Sequence, residues 1–217
     1  MSVLCPFINK PRWERRKEAR PQELLAAALD LFVERGFAVT RLEDVAKRAG
    51  VSKGTLYLYF ANKEELFKAV VRENMLPVLG EAEAMINSFE GDSVDLFRDI
   101  VLGWWERVGD TTLSGITKLI LAESGNFPEL AKFYHDEVIS RGNAMIGRIL
   151  QRGVERGEFR ELEIPHVTKV IVAPMIMLMM WKHSFGACQI EPISPEDYLN
   201  SFIDLCLRGL LNNEVRT

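Results

Sequence analysis

The stretch from Thr40 to Phe67, TRLEDVAKRAGVSKGTLYLYFANKEELF, restricts the possible folds more than any other part of the chain. It parses as two short helices joined by a tight turn, with a third starting almost at once. In the first, Leu42, Val45, Ala46 and Ala49 recur at three- and four-residue spacing, and Thr40 with Glu43 has the form of a capping box. Gly50 stops that helix, Val51 can plug the angle, and Ser52 can cap a second helix with Leu56 and Phe60 facing inward. Asn62, three residues before Glu65, has the spacing of the next cap.

A helix packed by only its Leu56/Phe60 edge leaves Lys53, Gly54, Thr55, Tyr57 and Tyr59 facing outward or sideways. That mixture of cation, small residue, hydroxyl and phenol suits the major groove of DNA. Lys53 and Thr55 lie at the end of the helix that enters the groove and are the expected base-edge contacts. Gly54 gives close approach, while Tyr57 and Tyr59 aim hydroxyls at phosphates. Lys63 opposes the dipole of the following helix, a placement that makes sense if a phosphate docks there. Helix pairs with a glycine turn also occur in purely structural helical domains, so spacing alone leaves both readings open.

The run Thr40, Ala46, Ala49-Gly50-Val51-Ser52, Gly54, Tyr57, Tyr59-Phe60, Asn62-Lys63-Glu64, Leu66, preceded by Arg35-Gly36-Phe37, resembles the signature of the tetracycline-repressor (TetR) family of bacterial transcription regulators. The resemblance covers roughly Pro21 to Val70. It implies a DNA-binding role for the residues above and for Thr40. One departure is Arg41, where many members carry a second small hydroxyl residue, although arginine still reaches phosphate.

The formal net charge is −4, but its distribution is uneven. Residues 1–63 hold 12 Lys+Arg against 7 Asp+Glu, giving +5, and residues 64–217 hold 15 against 24, giving −9. The basic end carries the DNA surface, and the acidic remainder argues against a second one. Cys5, Cys188 and Cys206 are widely spaced and form neither a disulfide framework nor a zinc pattern, which suits a reducing cytoplasm. No signal peptide is legible. The apolar run Val170 to Trp181 is twelve residues long and broken by Pro174, too short for a bilayer, so no membrane association is expected.

Residues 1–20 read as a flexible basic arm with Arg12, Arg15, Arg16, Lys17 and Arg20; the helix-turn-helix domain spans 21–67, with Pro21 opening its first helix; residues 68–217 form the larger helical domain. The whole is all-α, about nine helices, with no convincing strand alternation. A long helix runs from Asn62 to about Asn87, with a possible kink at Pro77. Asp92 or Ser93 caps the next; another opens at Thr111 or Thr112. A long amphipathic helix starts at Phe127-Pro128, and two more lie near Pro165–Phe185 and Pro195–Leu211, the second with Ser194 as its cap ahead of Pro195, Glu196 and Asp197.

Aromatic and thioether residues in the larger domain exceed what a minimal core needs. Trp104, Trp105, Ile120, Phe127, Tyr134, Met175 and Met179 are candidate lining for a small-molecule effector, apolar or aromatic by this composition. Glu123 and His183 are its candidate polar groups. Each of these also has an ordinary reading as core or as a satisfied surface group. In proteins resembling the TetR family the last two helices pair with their copies in a second subunit. That implies a homodimer interface with Met180, Tyr198, Phe202, Leu205, Cys206 and Gly209, and two reading helices on two half-sites.

The expectation is therefore a ligand-responsive transcription regulator, a repressor that holds a palindromic operator as a homodimer and is released by a small molecule. The alternatives are a DNA-binding regulator without a ligand, or a helical carrier or enzyme. Against an enzyme, the chain contains no GxSxG, P-loop, glycine-rich nucleotide fingerprint or metal cluster. No catalytic residues, metal or cofactor are expected.

Overall fold

The structure is a computed structural model that describes residues 12–188 and 194–212. Its elements are α1 (Arg12–Arg35), α2 (Leu42–Arg48), α3 (Lys53–Tyr59), α4 (Lys63–Asn74), α5 (Leu76–Ser88), α6 (Ser93–Trp104), α7 (Ser114–Glu123), α8 (Pro128–Tyr134), α9 (Ser140–Glu155), α10 (Ile164–Met180) and α11 (Pro195–Leu210). Only Met75 separates α4 from α5, and a π-helical turn, His135–Ile139, joins α8 to α9. Taking each pair as one rod leaves nine among the described residues, and no strand occurs there beyond an isolated bridge between Phe159 and Leu211. The fold class read from the sequence is all-α, and so is the molecule.

Two compact units divide between Val70 and Val71, inside α4. In the amino-terminal unit the core is a triangle of fully buried rings, Phe32, Phe37 and Phe67, with centroids 5.5 to 5.7 Å apart. Phe32 comes from α1, Phe37 from the turn after it and Phe67 from α4, so the triangle fixes three segments at once. Gly36 turns the chain between the first two with φ +88°. The α1 helix begins earlier than Pro21. Pro21 gives up one backbone hydrogen bond, but the flanking Glu, Ala, Lys and Arg residues are strong helix formers and carry the helix through it. Of the predicted flexible arm, residues 12–20 are thus helical, while residues 1–11, with Cys5, lie outside the described residues.

In the carboxy-terminal unit α9 packs against α5, α6 and α10, α11 covers α6 and α10, and α7 lies between α8 and α10. Arginines from α9 hold α5 and the turn after it. Arg141 makes a two-pronged contact with Glu83 (2.9 and 2.8 Å), Arg148 bonds Asn87, and Arg152 donates to the carbonyls of Phe89 and Gly91 at 3.1 and 2.7 Å. The predicted break near Pro77 falls just before it: α5 starts at Leu76, with the proline in its first turn, where its missing N–H costs least. Asp92 and Ser194 cap α6 and α11 as their spacing predicts.

Together, α10 and the π-helical turn Trp181–Phe185 form a rod of 22 residues with a window of mean hydropathy 1.5, long and apolar enough to cross a membrane by length and composition. The apolar segment is therefore longer than the twelve-residue run suggests. Thr168, Ile171, Met175, Leu178 and Met179 are buried within the unit, whereas Val170 and Met177 are exposed.

Because Phe67 closes the aromatic triangle, Phe67→Ala is expected to destabilise the amino-terminal unit by about 3–5 kcal/mol. Amide hydrogen exchange of the full chain would show the loss as faster exchange in α1 and α2, with α9 and α10 unchanged.

Candidate functional site

The turn between α2 and α3 depends on Gly50, which adopts φ +68°, a conformation that side-chain-bearing residues rarely take. Val51 N–H then bonds the Ala46 carbonyl at 2.9 Å, and Ser52 caps α3 by accepting the Thr55 N–H at 3.1 Å. Leu56, with no exposed surface, anchors the seven-residue α3 to its unit. Lys53, Gly54, Tyr57 and Tyr59 are exposed, as their helical phase predicts, and Thr55 is half-buried with its hydroxyl 2.8 Å from that of Ser52. Leu58, which the helical phase did not single out, is the most open large apolar residue among those described, at 82%. It lies two residues beyond the anchor Leu56, a signal present in the sequence.

Three of the expected contacts have polar partners within the chain. Thr40 is not a helix cap: only 1% of it is exposed, and its hydroxyl lies 2.7 Å from the Gly36 carbonyl and 3.2 Å from that of Leu31. Arg41 takes the cap position of α2 without a side-chain cap bond. The Thr40 hydroxyl is thereby spent on α1 and its C-terminal turn. Lys63 likewise points inward; its ammonium donates to the carbonyls of Phe37 (2.7 Å) and Ala38 (3.1 Å) and lies 4.5 Å from the Phe37 ring centre. Lys53 remains on the surface but is paired with Glu43, 5.7 Å from the Tyr57 ring centre. The hydrogen bond from Lys53 holds the Glu43 carboxyl below its ordinary range and raises the lysine. Beside α3 a groove of about 590 Å³ is lined by Arg35, Arg41, Tyr57 and Lys63 together with Glu43 and Asp44.

The carboxy-terminal unit holds a polar seam inside its apolar packing. The Ser114 hydroxyl donates to the Thr111 carbonyl at 2.7 Å and lies 2.6 Å from Nε2 of His183. Lys118, one turn along α7, donates to the His183 carbonyl at 3.0 Å. Burial, and then the charges of Lys182 and Lys118, push His183 below its ordinary pKa. Next along the seam, buried Thr117 and Tyr134 share a 2.9 Å hydrogen bond, and burial pushes the Tyr134 phenol up to about 12.

Trp105 is buried, and the Lys182 ammonium lies 5.7 Å from its ring centre. Its ring fits because Gly109 has no Cβ, which would lie 2.2 Å from the ring. Ile120, Met175 and Met179 are buried core. Trp104, Phe127 and Glu123 are half-buried, with Glu123 accepting from Asn126 at 3.3 Å. Ser114, Thr117 and Lys118 escaped the sequence reading because their α7 neighbours Ile116, Leu119 and Ile120 dominate the pattern. Their i, i+3, i+4 spacing was the available signal.

The expected interface residues of α10 and α11 divide. Phe202, 8% exposed, is largely buried within its own chain. Leu205 is 70% exposed; Cys206 is half-buried, with its thiol pushed up to about 11 by burial. Tyr198 packs edge-on against Trp181 and donates to the Pro174 carbonyl at 3.1 Å. Met180 is half-buried, and Gly209 is exposed, with its carbonyl accepting from Arg160 at 2.7 Å.

Residues 24–70 match the family described as bacterial regulatory proteins, tetR family, and residues 88–186 match the tetracyclin repressor-like C-terminal domain. The chain belongs to the TetR family. It is a helix-turn-helix transcription regulator with a ligand-binding C-terminal domain. The fatty acid metabolism regulator protein of Bacillus subtilis (strain 168) is 29% identical over 147 residues, covering 67% of this chain and 74% of that protein. The transcriptional repressor KstR2 of Mycolicibacterium smegmatis is 24% identical over 218 residues, 90% and 93% of the two chains. Among solved structures, the FadR regulator of Bacillus subtilis in complex with stearoyl-CoA superposes with a TM-score of 0.74 at 22% identity, covering 87% of this chain and 98% of that one.

Two measurements test these assignments within the TetR frame. Lys63→Met is expected to destabilise the amino-terminal unit by about 1–3 kcal/mol through the carbonyls it leaves unbonded. It should leave the salt slope of DNA binding unchanged, whereas loss of a phosphate contact would lower the slope by about 1 per protomer. For His183 the folded pKa lies below the ordinary value of 6.5. The unfolded chain therefore takes up the proton more readily, so stability present above that value is lost as pH falls through it. Thermal midpoints should fall from about pH 7 to about pH 6 in the wild type, and less in His183→Gln.

Proposed function

We propose that this regulator is a homodimeric repressor that holds a two-fold symmetric operator through α3 and releases it when a lipid-like small molecule enters the carboxy-terminal unit. The observation that carries the DNA half is α3 itself: anchored by Leu56, with Lys53, Gly54, Tyr57 and Tyr59 outward. Arg41 and the groove beside α3 supply cationic surface for the phosphate backbone. Operator binding places the protein in the cytoplasm.

Two observations support dimerisation. One seven-residue helix offers few base contacts, and a two-fold pair about 34 Å apart reads two half-sites. Val170 and Met177 on α10 and Leu205 on α11 are open apolar side chains on two helices that pack together. A second copy covers them better than a bilayer does, because exposed Lys169 and Lys182 lie on the same rod.

For the effector, the fatty-acid relative and the stearoyl-CoA complex favour a long apolar ligand with a polar end. Apolar Trp105, Ile120, Met175 and Met179, together with the His183–Ser114–Lys118 seam, offer matching chemistry. Release is a population shift. Because α4 belongs to both units, a ligand preferring another setting of its Val71–Asn74 end is felt at Lys63, Leu66 and Phe67. Moving the population from 1:99 to 99:1 takes differential binding of about 5.5 kcal/mol.

The decisive experiment is selection of the purified protein on random duplex DNA at near-physiological salt. A two-fold symmetric motif is expected, with specific binding abolished by Lys53→Ala and by Tyr57→Ala while thermal unfolding stays unchanged. Sequence-blind binding in the wild type sinks the operator reading. Met177→Glu with Leu205→Glu should sediment as monomer where the wild type is dimeric. Stearoyl-CoA at about 100 times its Kd should stabilise the fold by about 2.7 kcal/mol and release the operator.

A further inference from the structure

The outward face of α3 contains a side chain with no polar chemistry to offer DNA. At 100° per residue, Leu58 lies 200° round the helix from the buried anchor Leu56, almost straight away from the core. It is 82% exposed, more than any other large apolar residue among those described. Gly54, one turn earlier on the same face, has no side chain to shield it. Tyr57 and Tyr59, on either side in sequence, are only about half as exposed.

A single exposed leucine elsewhere would need no explanation. On the face of α3 that docks, its surroundings change completely on binding. Set against a guanine or adenine edge, or the cytosine amino group, the isobutyl group strips water from donors and acceptors and returns no hydrogen bond. The major groove presents one apolar group, the 5-methyl of thymine. Leu58 therefore penalises three bases and rewards the fourth.

We propose that Leu58 is a specificity-determining residue that selects thymine at one position of each operator half-site through its 5-methyl group. This rests on the reading of α3 as the groove-entering helix, and it adds a recognition element absent from the polar set Lys53, Thr55, Tyr57 and Tyr59. Those groups position the protein or read hydrogen-bonding edges, whereas Leu58 reads a carbon atom.

Thymine-to-deoxyuridine replacement tests the idea, because it removes only the methyl and leaves every hydrogen-bonding group in place. The full-length protein is first used to select its operator from random duplex DNA. Each thymine of the half-site is then replaced by deoxyuridine, symmetrically, and binding is measured at constant salt. One position should lose about fourfold in affinity per half-site, the effect of withdrawing a single methyl from apolar contact. In Leu58→Ala the same replacement should have little effect, while the other positions respond as in the wild type. Leu58 is open to solvent, so this variant is expected to unfold at the wild-type temperature.

Equal deoxyuridine effects in the two proteins at every position, or a half-site in which no thymine is sensitive, overturn the assignment. Failure to recover any two-fold motif with the wild type is seen before a single deoxyuridine is introduced. It overturns the operator reading and the Leu58 assignment with it.

Discussion

The amino-terminal unit depends on three phenylalanine rings and the ammonium group that closes over one of them. Phe32, Phe37 and Phe67 meet at 5.5 to 5.7 Å, and Lys63 lies 4.5 Å from the centre of Phe37 while binding the carbonyl of that residue and of the next. Thr40 completes the arrangement from the other side by tying its hydroxyl to carbonyls of the same segment. A turn too short to form regular structure thus has its peptide groups satisfied by side chains instead. The placement of α3 is inherited from this frame through α2, because α3 itself contributes a single fully buried residue, Leu56.

The carboxy-terminal unit is held on different terms. Arg141, Arg148 and Arg152 bond partners in α5 and the turn beyond it, so the setting of α5 against α9 is specified by directional contacts as well as by apolar packing. Apolar surfaces alone tolerate sliding. Two-pronged arginine contacts resist it, because a shift of one residue breaks both prongs. The π-helical turns at Trp105–Gly109 and Trp181–Phe185 supply Trp105, Lys182 and His183 to one neighbourhood, concentrating irregular backbone where the unit keeps its polar seam.

What could be read from the sequence was decided by locality. Ser52, Asn62, Asp92 and Ser194 were identifiable as caps because each partner lies three residues away, and each bond is present. Thr40 has the same spacing to Glu43, but its hydroxyl was captured by carbonyls four and nine residues earlier, which no local pattern encodes. The partners of Lys63 lie 25 and 26 residues back and are equally invisible to local spacing. On α11 a strong apolar stripe does not reveal which of its members the chain itself covers: Phe202 is largely buried and Leu205 is open. The Ser114–His183 contact joins positions 69 residues apart, a pairing that the spacing within α7 does not encode.

The ion pair between Lys53 and Glu43 carries a consequence for how fast such a protein finds its site. A lysine already matched by its own carboxylate adds little to the attraction that holds the protein on arbitrary DNA, so a wrong stretch of duplex gains little by displacing Glu43. On the proposed reading of α3, a base edge at the right stretch would offer the ammonium a better partner and leave the carboxylate to water. If α3 reads the operator as proposed, this pairing would shorten the time spent on incorrect sequence without weakening the final complex to the same degree.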